Sequence, residues 1–206
     1  MQHTIQKETT TAGTGLHSGA AINLALKPAP AGHGIVFVRT DLQGDNRIPA
    51  LWDKVTDTRL CTVISNSSGA SIGTIEHLMA ALRGCAIDNI LIELNGPEVP
   101  AMDGSSKPFV DMIDKAGIAA QNAPRRAIRI LKEVTVEEGD KTVTLKPAEE
   151  FIFAGEINFD HPDIGRQRYE IKLLNGNFRH DLADSRTFGF FHEVEMMRKA
   201  GLARGG

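Results

Sequence analysis

Cysteine is nearly absent. Cys61 and Cys85 are the only two in 206 residues, too few for a disulfide scaffold or a cysteine-rich zinc site. An excess of positive charge is missing as well. Lys and Arg number 23 against 26 Asp and Glu, giving a formal net charge of −3 and a pI near 6.2. That balance offers no electrostatic reason to propose nucleic acid or an acidic membrane surface as partner. No stretch approaches the ~18 apolar residues of a membrane span, and the opening Met1-Gln2-His3-Thr4-Ile5-Gln6-Lys7-Glu8 is too polar for a signal peptide. What is present is an ordinary globular composition, 41% apolar and 24% charged, which excludes a disordered or fibrous chain. At ~150 residues per domain the length fits a pair of small domains. The expectation is a soluble, cytoplasmic protein.

The chain repeats itself. Leu24-Ala25-Leu26-Lys27-Pro28-Ala29 returns 119 residues later as Val143-Thr144-Leu145-Lys146-Pro147-Ala148. In each copy the proline marks a strand end, because it cannot donate to a ladder. A second β-rich run follows each one: Ile35-Val36-Phe37-Val38 in the first copy, Phe151-Ile152-Phe153 in the second. These flanks point to an internal duplication. Copy one then predicts a strand over 60–65, a helix over 74–83 closed by Gly84, a strand over 87–94 and a helix over 106–116 closed by Gly117. Glycine just past a helix end takes the left-handed turn that other residues resist. Copy two predicts strands over 127–137, 141–146, 151–159 and 168–174, then a helix over 190–200 stopped by Gly201.

The fold class expected is therefore α+β: two similar small α/β-layer domains, residues 1–118 and 127–206, joined by a linker at 119–126 that is poor in apolar residues. At the same offset Gly206 falls on position 87, where copy one begins its next strand. The second copy is expected to be incomplete at its C-terminus, and the chain to be truncated.

Within the 74–83 helix, Ile75, Leu78, Met79 and Leu82 follow i, i+3, i+4, i+7, the stripe of an amphipathic helix on a core. At about 100° per residue, Glu76 and His77 fall outside that stripe. Their face continues with Ala80 and Ala81 rather than with Lys, Glu or Gln. A solvated helix face is normally charged, so a Glu-His pair backed by alanines suggests that something approaches it closely. Two readings are open. In one, Glu76 assists the helix start, where the dipole favours an anion, and His77 is a surface residue. In the other, the pair offers one metal ligand and one general base. Position 80 is Ala, so the His-Glu-x-x-His pattern is absent and further ligands are not supplied locally.

Other candidates have plain structural readings. His161, in Phe159-Asp160-His161-Pro162, reads as a turn residue and Phe159 as core. Asn95-Gly96-Pro97 and Met102-Asp103-Gly104-Ser105 are turn chemistry, with Asp103 placed where acids also cap helices. Gly13-Thr14-Gly15-Leu16-His17-Ser18-Gly19 looks phosphate-friendly, but no GKS/T follows and its neighbours read as strands, which argues against a P-loop. Cys61 sits in an apolar run and reads as inert core. Thr187 would pass as a strand-to-helix connector.

Together these segments resemble one family, the UDP-3-O-acyl-N-acetylglucosamine deacetylases, zinc amidases that commit a nucleotide sugar to lipid A synthesis in Gram-negative bacteria. The residues that carry the resemblance occur in order along the whole chain. They are Gly15-Leu16-His17-Ser18-Gly19, Leu26-Lys27-Pro28-Ala29-Pro30, Arg39-Thr40-Asp41-Leu42, Leu60-Cys61-Thr62, Thr74-Ile75-Glu76-His77-Leu78 and Ile87-Asp88-Asn89-Ile90, followed by Met102-Asp103-Gly104-Ser105, Asn158-Phe159-Asp160-His161-Pro162 and Arg186-Thr187-Phe188-Gly189-Phe190.

The resemblance implies two similar α+β domains whose helices surround the active site, in keeping with the repeat and with the small-residue face of the Glu76 helix. It implies that His77 is a zinc ligand, Glu76 the general base and Thr187 an oxyanion donor. Such a site would release acetate and leave the free 2-amine of the sugar. By the same resemblance Phe159 contacts the uridine, and Lys141 lies near the nucleotide end. Leu16, Leu60, Cys61, Phe188 and Gly189 lie near the substrate or its acyl passage, and Asp103 supports the site from behind.

The departures are as specific as the matches. The family's other two zinc ligands, a His and an Asp four residues apart on a late helix, have no counterpart up to Gly206. Nor do the later His that acts as general acid and the insert shaping the acyl passage. His180 and Asp184 have that spacing but precede Thr187 in a loop. A catalytic zinc is normally held by three protein ligands, and the resemblance supplies one here. The expectation is the N-terminal portion of a zinc deacetylase, inactive by itself. The alternative is a non-catalytic module that binds a nucleotide sugar or a partner protein through the same face.

Overall fold

The computed structural model describes residues 1–174 and 176–205. By its internal contacts the chain divides into two units, Met1–Arg125 with Arg179–Gly206, and Arg126–Phe178. In chain order the first unit carries β1 (Gln2–Ile5), β2 (Thr9–Thr14), β3 (Ala21–Pro28), β4 (Ile35–Arg39), β5 (Arg47–Pro49), β6 (Val55–Asp57), β7 (Val63–Ser65), β8 (Ser71–Ile72), α1 (Glu76–Gly84), β9 (Ile90–Leu94), α2 (Lys107–Ala116) and β10 (Ile118–Gln121). The second carries β11 (Val134–Glu138), β12 (Lys141–Leu145), β13 (Ile152–Asn158) and β14 (Arg166–Lys172). Beyond them come the short helix α3 (Phe178–Asp181) and then α4 (Phe191–Lys199). The fold is mixed α+β. Among the described residues no helix is long and apolar enough to cross a membrane.

Period-two alternation builds the main sheet of the first unit, ordered β2-β3-β9-β4-β5. Ile22, Leu24 and Leu26 of β3, and Ile90, Ile92 and Leu94 of β9, are buried while their neighbours face outward. β4 and β9 pair in parallel, and the remaining pairs are antiparallel. The helices complete the core, with Leu78, Ala81 and Leu82 from α1 and Phe109, Val110 and Ile113 from α2. Each fully buried side chain of this size contributes about 1.5–3 kcal/mol. A second, three-stranded sheet, β6-β7-β8, leads into α1. In the second unit β11 pairs with β12 and β13 with β14 as antiparallel hairpins.

Several boundaries differ from expectation for identifiable reasons. Residues 60–62 are not part of a strand: the strand starts at Val63, and the Thr62 amide turns to a side chain instead. Positions 87–89 also leave their strand, because the Asp88 and Asn89 amides both donate to the His3 carbonyl and dock β1. Gly84 lies inside α1, and the left-handed turn is taken by Ala86 at φ 59°. Gly117 and Gly201, at φ 75° and 80°, do close their helices as expected. Residues 118–121, partly within the expected linker, pair with β1. Residues 127–133 form no strand. Gly206, on which the expected end of the second copy rested, lies outside the described residues.

Candidate active site

Helix α1 begins later than its apolar stripe predicts because Thr74 is not helical. It sits at φ 55°, a region a β-branched residue enters only under constraint, at a cost of about 1–3 kcal/mol. The turn lets Glu76 open the helix with no side-chain cap. The Glu76 carboxylate lies in the first turn of α1 but makes no cap hydrogen bond there. Its Oε1 accepts the backbone N–H of Thr62 at 2.5 Å, which holds the 60–62 turn against the first turn of α1. Its Oε2 is buried and has no hydrogen-bond partner among the described residues. One carboxylate oxygen is thus anchored and the other is left free to accept a proton. An orphaned buried carboxylate oxygen is costly, and such atoms call for an explanation by ligand, ion or water.

Beside it His77 is half-buried on the same helix. The burial of α1 is rotated slightly from the predicted stripe: Ala81 is fully buried and Met79 only partly. Ala80 alone therefore extends the small-residue face beside the pair.

These side chains border a cleft of about 380 Å³, lined by Leu16, Leu60, Cys61, Thr74, Glu76, His77, Ser185, Arg186 and Thr187. The far wall is pinned by the turn before α2. The Thr187 amide donates to the Gly104 carbonyl at 3.0 Å, and Arg186 donates to the Asp103 carbonyl and to its Oδ2. Gly104 can accept in this geometry because it adopts φ 79°, where glycine has no Cβ penalty. Asp103 is not the cap of α2. Its Oδ1 accepts the Ser105 amide and hydroxyl, and that hydroxyl, with Arg186 beyond it, holds the Asp103 carboxyl below the usual range.

The structure thus brings Leu16, Leu60, Cys61, Glu76, His77 and Thr187 to one cleft, with Asp103 behind its wall. Phe188 and Gly189 do not line it. Phe188 is 58% exposed, and its ring meets Phe190 edge-on at 5.9 Å. Phe159 and Lys141 belong to the second unit, Lys141 opposite Glu138 in the β11–β12 hairpin. His161 occupies a turn, its ring Nδ1 accepting the Asp163 amide. The reading of Cys61 as inert core is corrected: it is half-buried in the turn before β7 and lines the cleft. Sequence reasoning missed Ser185 and Arg186 as lining residues and the Thr62 amide as an anchor, since neither residue type nor spacing marks a backbone contact across a turn.

The two thiols differ accordingly. Burial pushes the Cys85 thiol up to about 11, with Arg179 pulling it down and Asp114 adding to the rise. Alkylation with iodoacetamide at pH 8, followed by peptide mass spectrometry, is expected to label Cys61 and to spare Cys85 until the protein is unfolded. Equal labelling of both in the folded protein would contradict this placement.

Among the described residues no group of three or more His, Cys, Asp or Glu converges to hold a metal ion. The cleft provides one imidazole and an adjacent carboxylate, which suits a single ligand plus a base rather than a closed metal site.

Residues 2–206 match the family described as UDP-3-O-acyl N-acetylglycosamine deacetylase. The chain is 51% identical to the UDP-3-O-acyl-N-acetylglucosamine deacetylase of Phenylobacterium zucineum, over its whole length and 70% of that protein. It is 48% identical to the same-named protein of Myxococcus xanthus, covering all of this chain and 65% of the relative. With that of Shewanella violacea it shares 45%, over all of this chain and 68% of the relative. The chain thus spans about two thirds of the length of these curated relatives.

Proposed function

The chain belongs to the UDP-3-O-acyl N-acetylglycosamine deacetylase family, and from that membership we propose that it supplies the base, the oxyanion donor and one metal ligand for hydrolysing the N-acetyl group of UDP-3-O-acyl-N-acetylglucosamine, the committed step of lipid A synthesis. The observation that carries the reading is the divided role of the Glu76 carboxylate, Oε1 fixed by Thr62 and Oε2 buried and free. A carboxylate held in this way is oriented before substrate arrives and needs no further reorganisation to take a proton from water.

In this reading Glu76 accepts that proton as the water oxygen bonds to the acetamide carbon. Thr187, held in place by the hydrogen bond its backbone N–H donates to the Gly104 carbonyl, donates to the oxygen that becomes negative. The C–N bond then breaks, acetate leaves, and the sugar nitrogen takes up a proton as the free 2-amine. Zinc, when bound, supplies Lewis-acid polarisation of the carbonyl and lowers the pKa of water. His77 would hold it. The remaining ligands and the acid that protonates the amine are assigned to the part of the relatives' length that the match does not cover, a reading supported by the absence of any three-ligand group among the described residues. Leu16, Leu60 and Cys61 contact the substrate, Phe188 and Gly189 flank the acyl passage, and Phe159 and Lys141 serve the nucleotide end. A cytoplasmic setting belongs to the same proposal, in keeping with two free cysteines.

The duplication is part of the reading too. A shift of 119 residues, the spacing of the repeated hexamer, lays β3 on β12, β4 on β13 and the start of β5 on the start of β14. The β4–β5 pair and the β13–β14 pair are both antiparallel hairpins, which supports a common origin.

The test is acetate release and free amine from UDP-3-O-acyl-N-acetylglucosamine with zinc present. The 206-residue chain alone is expected to show negligible turnover, and the chain joined to the unmatched part of the Phenylobacterium relative is expected to be active. Full turnover by the chain alone would overturn the assignment of the missing ligands. Inactivity of the zinc-loaded joined protein would overturn the function.

A further inference from the structure

Asn95-Gly96-Pro97 reads as turn chemistry in the sequence, and next to it the structure places a densely bonded carboxylate. Glu98 is 4% exposed. Its Oε1 accepts the His17 amide at 3.0 Å, the Ser18 amide at 3.0 Å and the Ser18 hydroxyl at 2.8 Å. Its Oε2 accepts the Thr74 hydroxyl and the His17 amide, each at 3.3 Å. No Lys or Arg among the described residues pairs with it. A buried anion is expensive unless hydrogen bonds replace its water, and here every donor comes from one of two loops.

Both loops feed the candidate site. One contains Leu16, and the other, Thr74, leads directly into Glu76 and His77. The backbone around Glu98 is stitched to the same two places. Gly73 donates to Pro97 and Val99 donates to Gly73 on one side, while Ala101 donates to Thr14 on the other. A Cβ on Gly15 would stand 2.0 Å from Oε1, so the loop closes on the carboxylate only because residue 15 is glycine.

We propose that Glu98 is a positioning residue, whose carboxylate clamps the 15–18 loop and the left-handed Thr74 together and so sets where α1 presents Glu76 and His77. This rests on the functional reading above. Displacing a catalytic group by about 1 Å costs on the order of 100-fold in rate. In the joined protein Glu98→Ala is therefore expected to lower kcat about 10- to 100-fold while KM moves about threefold or less. Glu98→Gln, whose carbonyl oxygen can still accept from His17 and Ser18, is expected to restore most of that loss. Hydrogen exchange should quicken in Glu98→Ala at residues 15–18 and 74–78 and stay unchanged in the rest of the sheet.

Unchanged exchange in both segments would overturn the clamp. So would a kcat loss that merely follows the folded fraction, or that Glu98→Gln fails to restore. Quickened exchange in Glu98→Ala, with a parent protein that shows no deacetylation, would sink the functional reading and leave the clamp standing. If Glu98→Ala does not fold, Ser18→Ala and Thr74→Val each remove one donor and are expected to loosen only their own loop. Absence of that loosening would overturn the proposal equally.

Discussion

Glu76→Gln is expected to slow deacetylation by the joined protein about 100- to 10,000-fold, the range a positioned general base contributes. The substitution is selective because of how the carboxylate is held. Its Oε1 accepts the Thr62 amide, and the amide oxygen of Gln can accept the same bond, so the 60–62 turn and the start of α1 keep their geometry. The second position becomes NH2, which has no free lone pair for the proton of water. Zinc content is expected to be unchanged, since the proposal does not make Glu76 a ligand, and KM should move little because the loss falls on the transition state. Glu76→Ala should be worse in a different way, removing the Thr62 anchor as well as the base. Steady-state kinetics with metal analysis decides. A Glu76→Gln protein within about threefold of the parent rate would mean that Glu76 is no base.

Which parts of this could be read from the sequence follows from the range of the interactions involved. The stripes of β3, β9 and α2 were legible because burial there is local and periodic: Ile22, Leu24 and Leu26 alternate, and Phe109, Val110 and Ile113 recur on one helix face. The Glu76-His77 pair was legible as a departure from such a stripe. The element ends were not, because they are set by bonds between distant segments. Thr62 leaves its strand to reach Glu76, and residues 88–89 leave theirs to reach His3. Cys61 was misread for the same reason, since an apolar neighbourhood in sequence says nothing of a turn that opens onto a cleft. Glu98 was invisible. Its partners lie 24 and some 80 residues away, and its own neighbours carry only the signature of a turn. In the second unit the alternation of β11 and β12 was readable, whereas Val136 and Val143 are 66% and 68% exposed, so periodicity there reported strands without reporting burial.

His77→Ala tests the metal directly, where Glu76→Gln tests the chemistry. The helix should survive it. Ala is the best helix former, and His77 is only half-buried, so the thermal midpoint is expected to change little, as for most surface substitutions. Metal binding should not survive. Replacing even an outer partner of a zinc ligand costs about 10- to 100-fold in affinity, so loss of a ligand should exceed about 100-fold and leave the joined protein without stoichiometric zinc after dialysis. Deacetylation should fall with it, by at least as much as for Glu76→Gln. Binding of UDP, followed by calorimetry, should persist, because no part of the proposal places His77 at the nucleotide. That combination separates a metal site from a general loss of structure, and also from a module that merely binds a nucleotide sugar, for which removing an imidazole should leave zinc content without meaning. A His77→Ala protein that retains one equivalent of zinc would put the metal elsewhere. Since Glu76 and this imidazole line the same cleft, a metal held elsewhere would leave the proposed base without the partner the proposal gives it.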